Sequence, residues 1–325
     1  MKIWYDACTG KHARYGFEVS RRLQASGHEV ILTTRKHPDT ISMLNSLGAD
    51  FKVVGKYAPA SPYSRLEESL KRQLAFTDMF KSAPPDNAVS HGSIDLCRVA
   101  FGLGVNIIST ADSPHAEAAN RLALPLVNIL VTAKAIPLQE YTRFGVDRII
   151  QFDGVDEVAW IPRSKHENND DKKPLIIVRQ METMASYAKE IPDVTEHIAR
   201  ELTSLGTVMF IPRYERTERA DFSVPPKFVD TVELTAKADL VVSVGGTISR
   251  EAALQGTPSI VIQTFGRSYV NDYLSDLGFP LFTVQASEVR RVANKWLGRK
   301  QEVREKLKQL ENPIDYIERI IQNTI

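Results

Sequence analysis

The 325-residue chain has only two cysteines, Cys8 and Cys97, far apart and outside any metal-ligand spacing, which excludes a disulfide framework and a cysteine-based zinc site. So sparing a use of cysteine fits a reducing compartment, and the cytoplasm is the expected location. An excess of one charge is also missing. Lys plus Arg number 41 and Asp plus Glu 40, for a net charge of +1, so the basic field of a nucleic-acid binder is absent. No apolar run approaches the roughly 18 residues of a membrane span. The start, MKIWYDACTG, lacks the basic segment and long apolar core of a secretory signal, which leaves room only for peripheral membrane contact. Familiar nucleotide motifs are lacking too. Thr9–His12 reads TGKH without the glycine five residues before the lysine or the Ser/Thr after it, so it is no P-loop. The first βα turn has no G-x-G-x-x-G, and Gly102 and Gly104 follow a helical stretch rather than open one, which argues against a dinucleotide cofactor.

What is present is ordinary globular composition, 43% hydrophobic and 25% charged, in a chain long enough for two domains of about 150 residues. Short apolar runs such as KIWYDA, EVILTT, NIIST and DLVVSV alternate with amphipathic stretches. That alternation predicts parallel strands covered by helices on both faces, in two doubly wound, Rossmann-like α/β domains. The polar run IPRSKHENNDDKK predicts a linker over 161–173, between an N-terminal domain over 1–160 and a C-terminal domain over 174–325. The last 40 or so residues are expected to be helical, with GRKQEVREKLKQ as a solvated face. Open α/β sheets place ligands at the carboxyl ends of their strands, so a cleft between two such domains is where function is expected.

The segment SVGGTISREAALQGTPSIVI, residues 243–262, reads as strand, turn, helix and strand. Gly245 and Gly246 permit close approach, and the N–H groups and dipole of the next helix turn suit a phosphate. With Thr247 as N-cap, Arg250 is the third helical residue, so Glu251 is not in a capping box and is available for ribose hydroxyls. Equally, the glycines tighten a turn and Glu251 favours the helix dipole. Arg179 and Arg213 close two predicted strands, where their forks suit a diphosphate or, alternatively, a structural ion pair.

In the N-terminal half, His12 stands at the turn into the first helix, with Asp6 at the end of the preceding strand to orient it, ligate substrate or cap the turn. His91, in SHGS, lies at a second anion-friendly turn or caps the helix after it. In ADSPHAEAANR, Ser113 and Pro114 suit a helix start that places His115 and Glu117 in its first turn, beside Asp112. Glu117 then either pairs with Arg121 or serves in proton transfer. Trp160 and the carboxylates of GVDEVAW either pack a hinge or line the cleft.

E-A-x-x-x-G-x-P, present as Glu251, Ala252, Gly256 and Pro258 after a Gly-Gly turn, resembles the donor-nucleotide signature of the GT-B glycosyltransferase superfamily. It is similar to UDP-N-acetylglucosamine 2-epimerase and to the N-acetylglucosaminyltransferase that completes lipid II. Nearly the whole chain resembles domain-of-unknown-function family 354, common in archaea, on KIWYDACTGKH, GHEV, RVAFGLG, HAEAANRLALP and GGTISREAALQGTP. The resemblance implies a GT-B fold and a nucleotide-sugar substrate, with no separate cofactor and no metal. It favours a glycosyltransferase with a UDP-linked donor. In that reading Gly245, Gly246, Thr247, Arg250, Arg179 and Arg213 hold the nucleotide, with His91 also binding, and His12, or Glu117 with His115, is the base. The alternatives are an epimerase, in which Glu117 and Asp112 move the sugar proton, and a non-catalytic nucleotide-binding protein.

Overall fold

In the computed structural model, which describes residues 1–161, 173–184, 188, 191–213, 216–264 and 266–323, the chain forms two compact units. Unit 1 is Met1–Trp160 with Glu311–Ile325, and unit 2 is Ile161–Leu310. The predicted linker falls almost wholly outside the described residues.

Unit 1 alternates β1 (Lys2–Ala7), α1 (Gly10–Ala25), β2 (Glu29–Lys36), α2 (Pro38–Ser46), β3 (Lys52–Lys56), α3 (Pro62–Phe80), β4 (Asn87–Ser90), α4 (Ile94–Gly102), β5 (Asn106–Ala111), α5 (Glu117–Ala123), β6 (Ile129–Ala133), α6 (Gln139–Thr142) and β7 (Ile149–Phe152). A 3₁₀ turn, Asp156–Ala159, follows. The strands form one seven-stranded sheet in the order β3-β2-β1-β4-β5-β6-β7, every pair parallel. The chain runs outward from β1 through β2 to β3 and resumes at β4 on the other side, so the strand order reverses between β1 and β4. Near-continuous apolar strands such as KIWYDA are what a sheet buried on both faces requires. Trp4 illustrates it, with its ring 4.7 Å from that of Phe76 and 4.8 Å from that of Phe80 on α3.

A polar network crosses this core. The Arg72 side chain on α3 donates to the Val54 carbonyl at 2.7 Å, to Asp95 Oδ2 at 2.6 Å and to Asp6 Oδ1 at 2.7 Å. Asp6 also accepts from Thr33 at 2.8 Å and Ser93 at 2.6 Å. Asp6 is therefore a buried structural anion rather than the orienter of His12 or a ligand of substrate. Cys8 and Cys97 are free thiols, and burial pushes them up to about 11 and about 12, so neither is a nucleophile at neutral pH.

Unit 2 runs β8 (Leu175–Arg179), α7 (Thr195–Leu202), β9 (Thr207–Ile211), α8 (Thr231–Lys237), β10 (Leu240–Ser243), α9 (Gly246–Leu254), β11 (Ser259–Ile262), α10 (Tyr269–Asp276), β12 (Leu281–Val284), α11 (Val289–Trp296) and α12 (Arg304–Gln309). Its parallel five-stranded sheet has the order β12-β11-β10-β8-β9, reversing between β8 and β10. Ile176, Val178, Phe210, Val242 and Ile260 anchor the core on one face.

The C-terminal region corrects the sequence expectation twice. GRKQEVREKLKQ is not one solvated helix: a loop separates α11 from α12, and Gln301 N–H donates to the Gly256 carbonyl at 2.8 Å. The final helix, α13 (Pro313–Gln322), belongs to unit 1 and not to the domain expected over 174–325. Its buried face, Ile314, Ile317, Ile320 and Ile321, supplies the reason. Helical periodicity announces an apolar face but not which core will bury it.

Polar contacts hold α13 and the residues before it in place. Arg22 on α1 donates to Asp315 at 2.7 Å and Glu318 at 3.1 Å, Ser26 donates to Glu318, and the Asp153 N–H donates to Glu311 Oε2 at 2.5 Å. The Asp153 backbone donor and Tyr316 hold the Glu311 carboxyl below the usual 4.5, and Ser26 and Arg22 do the same for Glu318. A depressed carboxylate contributes stability that is present above its ordinary pKa and is lost as pH falls through its folded value. The amides of α13 should therefore lose protection as pH drops below 4.5, before those of β1 and β4. Hydrogen exchange corrected for intrinsic rates measures this, and unchanged α13 protection well below 4.5 contradicts it.

Candidate functional site

Each unit gathers polar groups where its strand order reverses, the position at which open α/β sheets bind ligands. In unit 2, β10 ends at Ser243 and the chain turns through Gly245 into α9. Gly245, not Thr247, is the N-cap, in extended conformation and with no side-chain cap bond. Thr247 is thus the second helical residue and Arg250 the fifth, which corrects the predicted cap by two residues. Ser243 Oγ shapes the turn by donating to the Gly245 carbonyl at 2.5 Å.

Two guanidinium groups stand against this turn. A Cβ on Gly246 would meet Arg250 Nη1 at 2.1 Å, and one on Gly245 would meet Arg213 Nη2 at 3.5 Å. Only glycine leaves room for Arg250 to lie so close to the backbone. Arg250 Nη1 also donates to Asn271 Oδ1 at 3.2 Å on α10. Arg213 is aimed by the segment after β8: its N–H donates to Gln180 Oε1 at 2.9 Å and its Nε to the Gln180 carbonyl at 3.0 Å, and Nη1 lies 3.6 Å from Glu182 Oε2. Arg179, at the end of β8, donates to the Pro212 carbonyl at 3.0 Å and so braces the loop that carries Arg213. A helix N-terminus beside two guanidiniums has the chemistry to receive an anion.

Glu251 differs from the expectation of an available carboxylate. It is 2% exposed and accepts from Thr231 Oγ1 at 2.6 Å, tying α9 to the start of α8.

In unit 1, the corresponding reversal lies between β1 and β4. Thr9 caps α1, accepting from the His12 N–H at 3.3 Å, and this puts Lys11 and His12 in the first turn. His91 follows β4, Asp112 follows β5, and Asp156 and Glu157 lie on the 3₁₀ turn. Lys11 Nζ joins them, at 2.5 Å from Asp112 Oδ2, 2.8 Å from Asp156 Oδ2 and 3.8 Å from Glu157 Oε1. The His12 and His91 rings are 4.8 Å apart between centroids. Burial, then the neighbouring His91 and Lys11, holds the His12 imidazole well below the usual 6.5, so it is neutral at pH 7.

The structure therefore brings His12, His91 and Asp112 together. The other two sequence candidates, His115 and Glu117, are placed differently. Helix α5 starts at Glu117, later than SPHAE suggests, because Ser113 donates to Asp112 at 2.9 Å instead of capping, and Asn120 holds the turn through the Ser113 and Pro114 carbonyls. His115 is exposed. Glu117 is paired with Arg121 at 2.7 Å and Arg143 at 3.0 Å, the first of which is the i,i+4 pair that its spacing permits. His91 does not cap α4 either; Ser93 does, accepting from Leu96 N–H at 3.3 Å.

Lys11 is the residue that motif reasoning missed, since its flanks only disqualified a P-loop. Asp156 and Glu157 were visible merely as acids near a domain junction, and Trp160 beside them packs at 6.1 Å from Tyr15.

Comparison with known proteins agrees with this architecture. The chain is similar to UDP-GlcNAc 2-epimerase from Methanocaldococcus jannaschii, with TM-score 0.65 and 13% identity over 99% of this chain and 100% of that one. It is also similar to the Streptomyces sp. SF2575 glycosyltransferase SsfS6 complexed with thymidine diphosphate, with TM-score 0.61 and 16% identity over 99% of both chains. At such identities the likeness establishes the fold, which is GT-B-like. An uncharacterized protein of Methanocaldococcus jannaschii is 25% identical over 97% of this chain and 96% of its own length. Among the described residues no helix is long and apolar enough to cross a membrane. A family model described as "Protein of unknown function (DUF354)" matches residues 1–325, and the chain belongs to that family.

Proposed function

We propose that the protein is a glycosyltransferase that uses a nucleoside-diphosphate sugar, with UDP as the carrier. The observation that supports this reading is the convergence of Arg213 and Arg250 on the uncapped Gly245–Gly246 turn. A diphosphate resting there meets backbone N–H groups, the positive end of α9 and two planar donors. The same groups stabilise the charge that develops when the sugar departs. Ribose hydroxyls reach Glu251 by replacing the Thr231 hydroxyl as donors. In unit 1, the neutral His12 accepts the proton of an acceptor hydroxyl. The thymidine diphosphate in the SsfS6 structure is consistent with a nucleotide on this fold.

An epimerase requires Glu117 and Asp112 to share one sugar carbon. The double pairing of Glu117 with Arg121 and Arg143 disfavours that role.

Calorimetric titration with UDP tests the proposal. UDP should bind the wild-type chain, and Arg213→Met should weaken it by about 10- to 100-fold, the loss of one charge-assisted contact. Glu251→Ala should weaken UDP but leave inorganic pyrophosphate unchanged, because only UDP carries ribose. Failure of UDP, TDP and pyrophosphate to bind at all, or equal UDP affinity in Arg213→Met, rejects the cradle.

A further inference from the structure

Helix α3 is apolar on two faces, and the core takes only one of them. Its inner face carries Arg72, Phe76 and Phe80, all buried, and is fixed to α4 by Asp95, which accepts from Arg72 at 2.6 Å and from Gln73 at 3.2 Å. The outer face carries Tyr63, Leu66, Leu70 and Leu74, spaced by three, four and four residues, so they form one stripe along the helix. These four side chains are between 51% and 73% exposed. A surface helix ordinarily turns charged and polar residues outward. Here leucine stands in their place, and on the neighbouring α4 Phe101 adds a further exposed ring.

An apolar patch of a few hundred Å² on a domain surface marks an interaction site. The stripe is its own complement. Two copies of α3 related by a twofold axis at Leu70 run antiparallel, and Leu66 of each then meets Leu74 of the other, Leu70 meets Leu70, and Tyr63 meets the exposed Thr77. Charge agrees with this pairing. Glu67 and Lys71 lie along one border of the stripe, with Lys71 Nζ 3.1 Å from Glu67 Oε1, and both side chains are about half exposed. In an antiparallel pair the same border of each helix meets, so each Glu67 comes beside the Lys71 of the other copy, offset by about 3 Å along the axis. A lipid surface selects basic borders of one sign. This border mixes signs, and Asp78 is exposed farther along it.

We infer that the outer face of α3 is a self-association surface, joining two copies of this chain through antiparallel helices across a twofold axis at Leu70. A stable dimer buries about 800 Å² on each partner, of which the four exposed side chains supply roughly half, leaving the charged borders and Phe101 to supply the remainder. The contact uses residues of unit 1 only, so failure of the nucleotide cradle in unit 2 leaves it untouched.

Sedimentation equilibrium of the purified chain over about 1–100 µM tests the pairing. A dimer is expected. Leu70→Glu sets two like charges face to face on the axis and should weaken the dimer by about 100-fold or more. Lys71→Glu alone should weaken it about fivefold, and Glu67→Lys added to that change should restore the affinity, because the borders then exchange signs. Circular dichroism shows whether Leu70→Glu is folded; Leu74→Lys, off the axis and at a more exposed position, carries the same expectation if it is not. Monomer mass at every concentration overturns the inference, including the case in which the monomer pellets with phosphatidylglycerol vesicles and the face is a lipid contact. A dimer that Leu70→Glu and Leu74→Lys leave unchanged also overturns it, since its interface then lies elsewhere. Failure of Glu67→Lys to restore what Lys71→Glu removes refutes the antiparallel register.

Discussion

Arg72→Met should destabilise unit 1 by about 3–5 kcal/mol, the usual cost of removing one partner from a buried ion network. Arg72 is 2% exposed and is the common donor to Asp6, Asp95 and the Val54 carbonyl. Methionine fills a similar volume but leaves two carboxylates facing each other without a cation. Burial, the largest single influence, opposes the charge on Arg72, yet Asp6, Cys8 and Asp95 together outweigh it, and the guanidinium is held above its usual 12.5. Arg72→Lys should recover only part of the loss, because a lysine cannot span three acceptors with a rigid fork. Urea denaturation followed by tryptophan fluorescence measures it, Trp4 and Trp160 reporting unit 1 and Trp296 unit 2. A shift of the unit 1 transition below about 1 kcal/mol, the scale of a surface pair, contradicts the argument.

Gly256→Ala should cost unit 2 about 3 kcal/mol or more, combining left-handed backbone strain of about 1–2 kcal/mol with displacement of packed backbone. Gly256 closes α9 at φ +80°, and a Cβ there would meet the Gln301 carbonyl oxygen at 2.0 Å. That oxygen belongs to the strand of loop already bonded to Gly256 through Gln301 N–H, so it cannot retreat without breaking the contact. Gly27→Ala is the matched control. Gly27 has φ +83° but no atom within 4 Å of its Cβ position, so only the strain should be felt. Equal losses at the two positions would show that the Gln301 contact is irrelevant.

The alternation of strand and helix was readable because strands buried on both faces must be apolar along their whole length, as KIWYDA and LVVS are. The Gly-Gly turn was readable for a similar reason, since a backbone that admits Arg250 at such range tolerates no side chain. Other features depended on contacts that no local pattern encodes. Ser113 is a fit N-cap by type, yet it spends its hydroxyl on Asp112. Thr247 lost the cap to Gly245, whose extended backbone suits that position without a side chain. Glu251 has an open place on the helix in sequence terms, but Thr231, twenty residues earlier, closes on it. Lys11, Asp112 and Asp156 meet only because β1, β5 and the 3₁₀ turn end on one edge of a sheet, and the acids are separated by 44 residues of chain.

The route of the backbone has a further consequence during synthesis. The first core to begin forming lacks its last isoleucine-bearing helix until the whole of the second unit, Ile161–Leu310, has emerged from the ribosome. The order of completion is therefore inverted relative to the order of appearance: the later lobe can close by itself while the earlier one waits, its α13 groove still wet.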